Sequence, residues 1–206
     1  MHSARRSPIM RCDLFSFMKR RAARGLAAGL LGAGGLLSAG QALAATPAPF
    51  VTEALGGATL AGKGQLRFLG LHVYGARLWV GPGFQAADFE AHPFALELTY
   101  RRAFTGAAIV ERSIQEMQRQ TPIAAPQAER WRQQLAAVMP DVKSGDRLIG
   151  LYQPGQGMRL WRGSQLLGVI DDAELARLFF GIWLSPRTSD PGLRSALLAR
   201  EGGGAP

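Results

Sequence analysis

The chain has 206 residues, with 24 Lys and Arg against 15 Asp and Glu, a formal net charge of +9. Seven of the basic residues and one acid precede Ala45, so the remaining 162 residues carry 17 against 14, a net +3, too mild for the clustered basic stripe of a nucleic-acid binder. The only cysteine, Cys12, lies in that first stretch, which excludes disulfides, thiol catalysis and thiolate metal sites from the rest.

Taken in order, Lys19, Arg20, Arg21 and Arg24 precede an apolar run from Gly25 to Leu37, and Gln41-Ala42-Leu43-Ala44-Ala45 follows. A basic segment, a short apolar segment and Ala-x-Ala form the pattern of a secretory signal peptide. The apolar run is shorter than the ~20 residues of a membrane-spanning helix. The expectation is a signal peptide over residues 1–44, cleaved near Ala44, and one domain over 45–206 in the periplasm or outside the cell, with no membrane span after removal. A retained anchor is the alternative. Arg20-Arg21 hints at twin-arginine export, Sec export is the default, and Met18 is a second candidate start.

Thr46-Pro47-Ala48-Pro49 reads as a proline-rich lead-in, and Phe50 to Leu60 as an irregular segment or an edge strand. From Gln65 to Val80 the density of apolar, aromatic and β-branched residues predicts one long strand, or two meeting at Gly70. Alternation places His72, Tyr74, Ala76 and Leu78 on one face and Leu71, Val73, Arg77 and Trp79 on the other. Phe94 to Tyr100 is a further strand, with Phe94, Leu96, Leu98 and Tyr100 on one side and Glu97 and Thr99 opposite. Thr105 suits the N-cap of a helix to about Arg119, and Pro126 begins a second that Pro140 closes.

Past Pro140 come three short apolar runs, Arg147–Tyr152, Met158–Arg162 and Gln165–Ile170, separated by Gln153-Pro154-Gly155-Gln156-Gly157 and by Gly163-Ser164. Such connections let neighbours pair antiparallel, which predicts a three-strand meander. Asp171, with Glu174 three residues on, reads as the capping box of a helix whose apolar face is Leu175, Leu178, Phe179 and Ile182. Ser185-Pro186 ends it, and Asp190-Pro191 opens a last short helix carrying Leu193 and Leu197. Residues 200–206 read as a flexible tail after an ordered core over 50–199. Strands, two helices, strands and a helical end predict an α+β domain: an open-faced antiparallel sheet with helices packed on one face.

The turn Lys143-Ser144-Gly145-Asp146, the run Tyr152-Gln153-Pro154-Gly155 and the segment Phe180-Gly181-Ile182-Trp183-Leu184-Ser185-Pro186 occur in one order, closed by Leu193 to Leu198. In that order the block resembles the C-terminal half of the chalcone isomerase-like family, in its bacterial, exported form. The resemblance implies the family's sheet-and-helix fold. It also implies a site at the first strand region, where plant fatty-acid-binding relatives hold a carboxylate with an arginine and a tyrosine. Val73-Tyr74 with Leu78-Trp79 resembles the family strand, so Tyr74 carries over. Arg67 carries over only with a gap, and Lys63 is its rival.

The residues themselves announce little chemistry. The stretch after Ala45 has two histidines, His72 and His92, without paired spacing, so no metal is expected. It has no Gly-x-Ser-x-Gly elbow, and its Gly-x-Gly turns join strand to strand, without the helix N-terminus that holds a phosphate, so no cofactor is expected either. Arg67 and Tyr74 together suit a carboxylate, the guanidinium giving a fork of donors and the phenol one more. Leu78, Leu151, Phe179 and Ile182 are expected to form the apolar wall for a small amphipathic ligand such as a fatty acid. The isomerases of this family also use a lysine, a tyrosine and an asparagine from the helical region, and hydroxyls from strand and C-terminal helix. Gly106 to Met139 has none of those three residues, the strand position is Tyr74, and the helix shows Phe179-Phe180. A non-catalytic binding module is therefore the leading expectation, with an isomerase or intramolecular lyase and a structural or interaction module as alternatives. The sequence names no protein partner.

Overall fold

The structure, a computed structural model, describes residues 46–199. The expected leader and the tail fall outside the described residues. The described residues fall within one compact unit.

The elements run α1 (Pro49–Ala54), β1 (Thr59–Phe68), β2 (Leu71–Val80), β3 (Phe94–Tyr100), α2 (Gly106–Gln120), α3 (Ala125–Val138), β4 (Arg147–Gln153), β5 (Gly157–Arg162), β6 (Gln165–Ile170), α4 (Ala173–Leu184) and α5 (Pro191–Leu197). All six strands form one antiparallel sheet in sequence order, β1-β2-β3-β4-β5-β6. The result is an α+β domain with an open antiparallel sheet.

The expected long run from Gln65 resolves into two strands that turn at Leu69-Gly70. Both turn residues have positive φ, 48° and 78°, the conformation of the two-residue hairpin turn whose twist matches its strands. The segment from Phe50 is a short helix, α1, and not a strand until Thr59. Proline at its start and the residues Val51 and Leu55 turned inward explain the helix.

Alternation along the strands divides the core in two. Ala76 and Leu78 of β2, Phe94, Leu96 and Leu98 of β3, Leu148 and Tyr152 of β4, and Met158 and Leu160 of β5 face the helices. There Leu175, Leu178, Phe179 and Phe180 of α4 and Ile114 and Met117 of α2 meet them. Phe180 lies over Gly150, where a Cβ would stand 2.9 Å from the ring, so the absence of a side chain seats α4 on the sheet. The other face carries Trp79, Ala95, Ile149, Leu151 and Trp161 under α1, with Phe50 stacked on Trp161 at 4.4 Å between centroids.

Helix capping differs from the expectation at one place. Asp172, not Asp171, caps α4: Oδ1 accepts from the backbone N of Leu175 at 2.9 Å. Its Oδ2 accepts from Trp131 Nε1 at 2.9 Å, which ties α3 to the start of α4. The second acceptor bond selects the later aspartate. Thr105 and Asp190 cap α2 and α5 as their sequence indicated.

Candidate functional site

The helix-facing side of the sheet is apolar except at one end, near the start of β2 and the end of β3. There Tyr74 and Tyr100 stand opposite each other as register partners. Their rings meet edge to face, 5.9 Å between centroids. Phe104 borders Tyr100 at 6.0 Å. From α4, Trp183 reaches in and its Nε1 donates to the Tyr74 hydroxyl at 2.9 Å. Trp183 is itself fixed by Phe179, 5.5 Å away and edge to face.

The bond from Trp183 uses the Tyr74 oxygen as acceptor. A phenol also has a proton to give, and among the described residues nothing accepts it. The Tyr100 hydroxyl has no hydrogen-bond partner among them. Two phenol protons are thus left to serve a further acceptor at this end of the sheet. Burial pushes the Tyr74 phenol well above its ordinary pKa. The bond from Trp183 works against that shift, and Tyr100, Asp190 and Glu116 add to it. Burial likewise raises Tyr100. Both groups stay protonated donors at any pH near neutrality.

The surrounding charge is mixed. Asp190 is engaged as the cap of α5, and Glu116 is flanked on its helix by Arg112 and Arg119. Among the described residues no group of His, Cys, Asp or Glu has the arrangement to hold a metal.

The structure brings Tyr74, Leu78, Phe179 and Ile182 into one cluster on the helix side. Leu151 is not part of it. Strand alternation puts its side chain on the opposite face, buried with Ile149 and Trp161 under α1, so its place in the expected wall is corrected. Arg67 sits in the hairpin one rung from Tyr74, since Leu66 pairs with Tyr74 and Arg67 with His72. Its side chain is exposed, and the Tyr74 hydroxyl meets an indole, not a guanidinium.

Sequence reasoning missed Trp183 and Tyr100 as site residues. Tyr100 stood on the correct strand face, and Trp183 lay inside a family segment. Their meeting with Tyr74 depends on strand register and on the rotation of α4. It also missed Glu97, 2% exposed on the far face. There Arg77 Nη1 donates to its Oε1 at 3.0 Å and Trp79 Nε1 to its Oε2 at 3.3 Å.

The family model described as chalcone isomerase-like matches residues 58–199. The chain belongs to the chalcone isomerase-like family. Among solved structures it is similar to the fatty-acid binding protein AtFAP1 of Arabidopsis thaliana, with a TM-score of 0.54 at 12% identity, over 68% of this chain and 86% of that one. At that identity the likeness is one of fold. No curated protein matches the sequence. The match begins near β1 and ends just beyond α5, so α1 and the far-face cover it provides lie outside the chalcone isomerase-like segment.

Proposed function

We propose that this domain is a non-catalytic, exported carrier of a small amphipathic acid, a fatty acid or a close chemical relative, with the carboxyl group held at Tyr74. The observation that carries the reading is the chain of donors Trp183 N–H to Tyr74 O–H, ending in a proton with no acceptor among the described residues, at the polar end of the sheet's apolar, helix-facing side. Hydrogen bonds in such a chain polarise one another and strengthen the terminal donor. Phe179, packed edge to face on Trp183, supplies apolar area beside it, and Leu78 and Ile182 belong to the same hydrophobic cluster. The fold shared with a protein named for fatty-acid binding is consistent with this use.

Phenols whose pKa is raised are weak acids that form almost no phenolate near neutrality, so neither is available as a general base or nucleophile, which favours holding a ligand over transforming it. The same surroundings act on the ligand. A carboxyl placed near Asp190 and Glu116 in low dielectric is favoured in its neutral form. Uptake is therefore expected to strengthen as pH falls, because the bound acid keeps its proton to higher pH than the free acid does.

Mass spectrometry of the protein recovered from the periplasm, native and then after solvent extraction, tests the reading. A bound fatty acid and a processed N-terminus are expected. Tyr74→Phe keeps the ring and removes the donor, so it should weaken uptake of a fluorescent fatty acid roughly tenfold. A protein that neither carries nor takes up fatty acid overturns the carrier reading. An unprocessed chain left in the cytoplasm overturns export alone.

A further inference from the structure

The β1–β2 hairpin runs past the rest of the sheet. β3 ends at Tyr100, paired with Tyr74, while β1 and β2 continue to the rung Phe68–Leu71. At ~3.3 Å per residue the projection is about 10 Å. Its tip is apolar: Phe68 is 47% exposed and Leu69 76%. Leu69 also has a φ of 48°. For a bulky residue this left-handed conformation is unfavourable, and the turn type prefers Asn, Asp or Gly. A leucine here costs the fold in strain and in exposed apolar area.

Cations surround the tip. Arg67 adjoins it on β1, and the chain leaving β3 places Arg101 and Arg102 against β2. Arg102 Nε donates to the His72 carbonyl at 3.3 Å, and Arg101 N donates to the Val73 carbonyl at 2.8 Å. With Gln65, Gly70, Leu71 and His72 these two arginines line a groove of about 530 Å³. Among the described residues no carboxylate pairs with Arg67, Arg101 or Arg102. The neighbouring acid, Asp146, accepts from the backbone N of Lys143. From Ala54 through Ala87 the sequence contains no Asp or Glu at all.

We propose that the hairpin tip docks on an anionic phospholipid bilayer, with Phe68 and Leu69 entering the interface and Arg67, Arg101 and Arg102 meeting lipid phosphates. An apolar tip ringed by basic side chains has the two attractions that interfacial binding requires. The projection of the tip matches the depth of the headgroup and upper acyl region. Charge argues against a second copy as the occupant, because two such tips repel. The inference is independent of the carrier reading, since the tip can hold a bilayer whether or not Tyr74 holds an acid.

The test uses the chain from Ala45 onward, the compact unit that contains both hydrophobic clusters, so the apolar segment before it does not contribute. Co-sedimentation is measured with vesicles of phosphatidylglycerol and phosphatidylcholine, and with phosphatidylcholine alone. Binding to the anionic vesicles that weakens with salt is expected. Leu69→Asn suits the turn better and should fold at least as well, yet lower vesicle binding by about tenfold. Arg101→Gln and Arg102→Gln together should remove most of the preference for phosphatidylglycerol, at roughly fivefold per residue. No vesicle binding by the native chain, or equal binding by Leu69→Asn, overturns the proposal. So does a native dimer that Leu69→Asn converts to monomer, or glycerol phosphate in solution competing as well as vesicles do.

Discussion

The two faces of the sheet solve the same burial problem with different resources. On the helix side, aromatic rings interlock: Phe94 stacks on Tyr152 at 4.9 Å, and Phe180 meets both edge to face, at 5.1 Å and 5.6 Å. On the far side one short helix covers a few apolar residues, and a carboxylate is buried beside them. Arg77, Trp79 and, at 3.9 Å, Arg147 satisfy Glu97 there. The comparison shows that a face lacking thick cover can still bury polar atoms, provided that each finds a fixed partner.

Substitutions on the two faces separate these modes. Phe180→Ala should cost the most, about 3–5 kcal/mol, because its ring contacts cannot close over the cavity. Leu151→Ala on the far face should cost about 2–3 kcal/mol, since α1 is short enough to settle inward. Urea unfolding gives both values, and an equal loss would mean that α1 is as rigid a cover as α4. Glu97→Gln keeps the shape and an acceptor for Trp79 but leaves Arg77 and Arg147 without a counter-charge, at about 1–3 kcal/mol. Raising the salt should narrow that last difference only slightly, the carboxylate being buried.

The pH dependence belongs to the helix side. Tyr74 and Tyr100 have raised pKa values in the fold, so in alkali the unfolded chain releases protons that the folded chain retains. Their contribution to stability is constant below the unfolded phenol value near 10 and falls as pH rises above it. The urea midpoint followed into that range should decline, and Tyr100→Phe should flatten the decline. The smallest effect is expected for Arg67→Ala, within about 0.5 kcal/mol, because the side chain is exposed and pairs with no described residue.

Much of the fold was legible in the sequence. The turn chemistry of Gln153 to Gly157 and of Gly163-Ser164 marked the last three strands almost to the residue, and alternation grouped Leu78 with Tyr74 and Ala76, and Phe94 with Leu96 and Leu98. The two-residue turn at Leu69-Gly70 was ambiguous because leucine is an unusual occupant of a left-handed position. Alternation also assigned Glu97 to the far face, but local pattern contains no information that α1 returns to cover it. The site was less legible for the same reason. Tyr74 was visible as a phenol on a strand, whereas its partner Trp183 lies far along the chain and comes near only through packing. Leu151 was placed in the wall by composition alone, and the parity of β4 puts it on the other side.

The sequential order of the strands has a kinetic consequence. Each strand finds its partner in the next strand of the chain, and the three turns within β4–β6 and β1–β2 are short. The long closure is β3 to β4, with α2 and α3 between them. Two meanders can therefore form locally, and joining them carries the main loop-closure entropy. Core substitutions along the β3–β4 seam, such as at Leu96 or Ile149, are then the ones expected to slow folding, while those at the outer strands mainly speed unfolding.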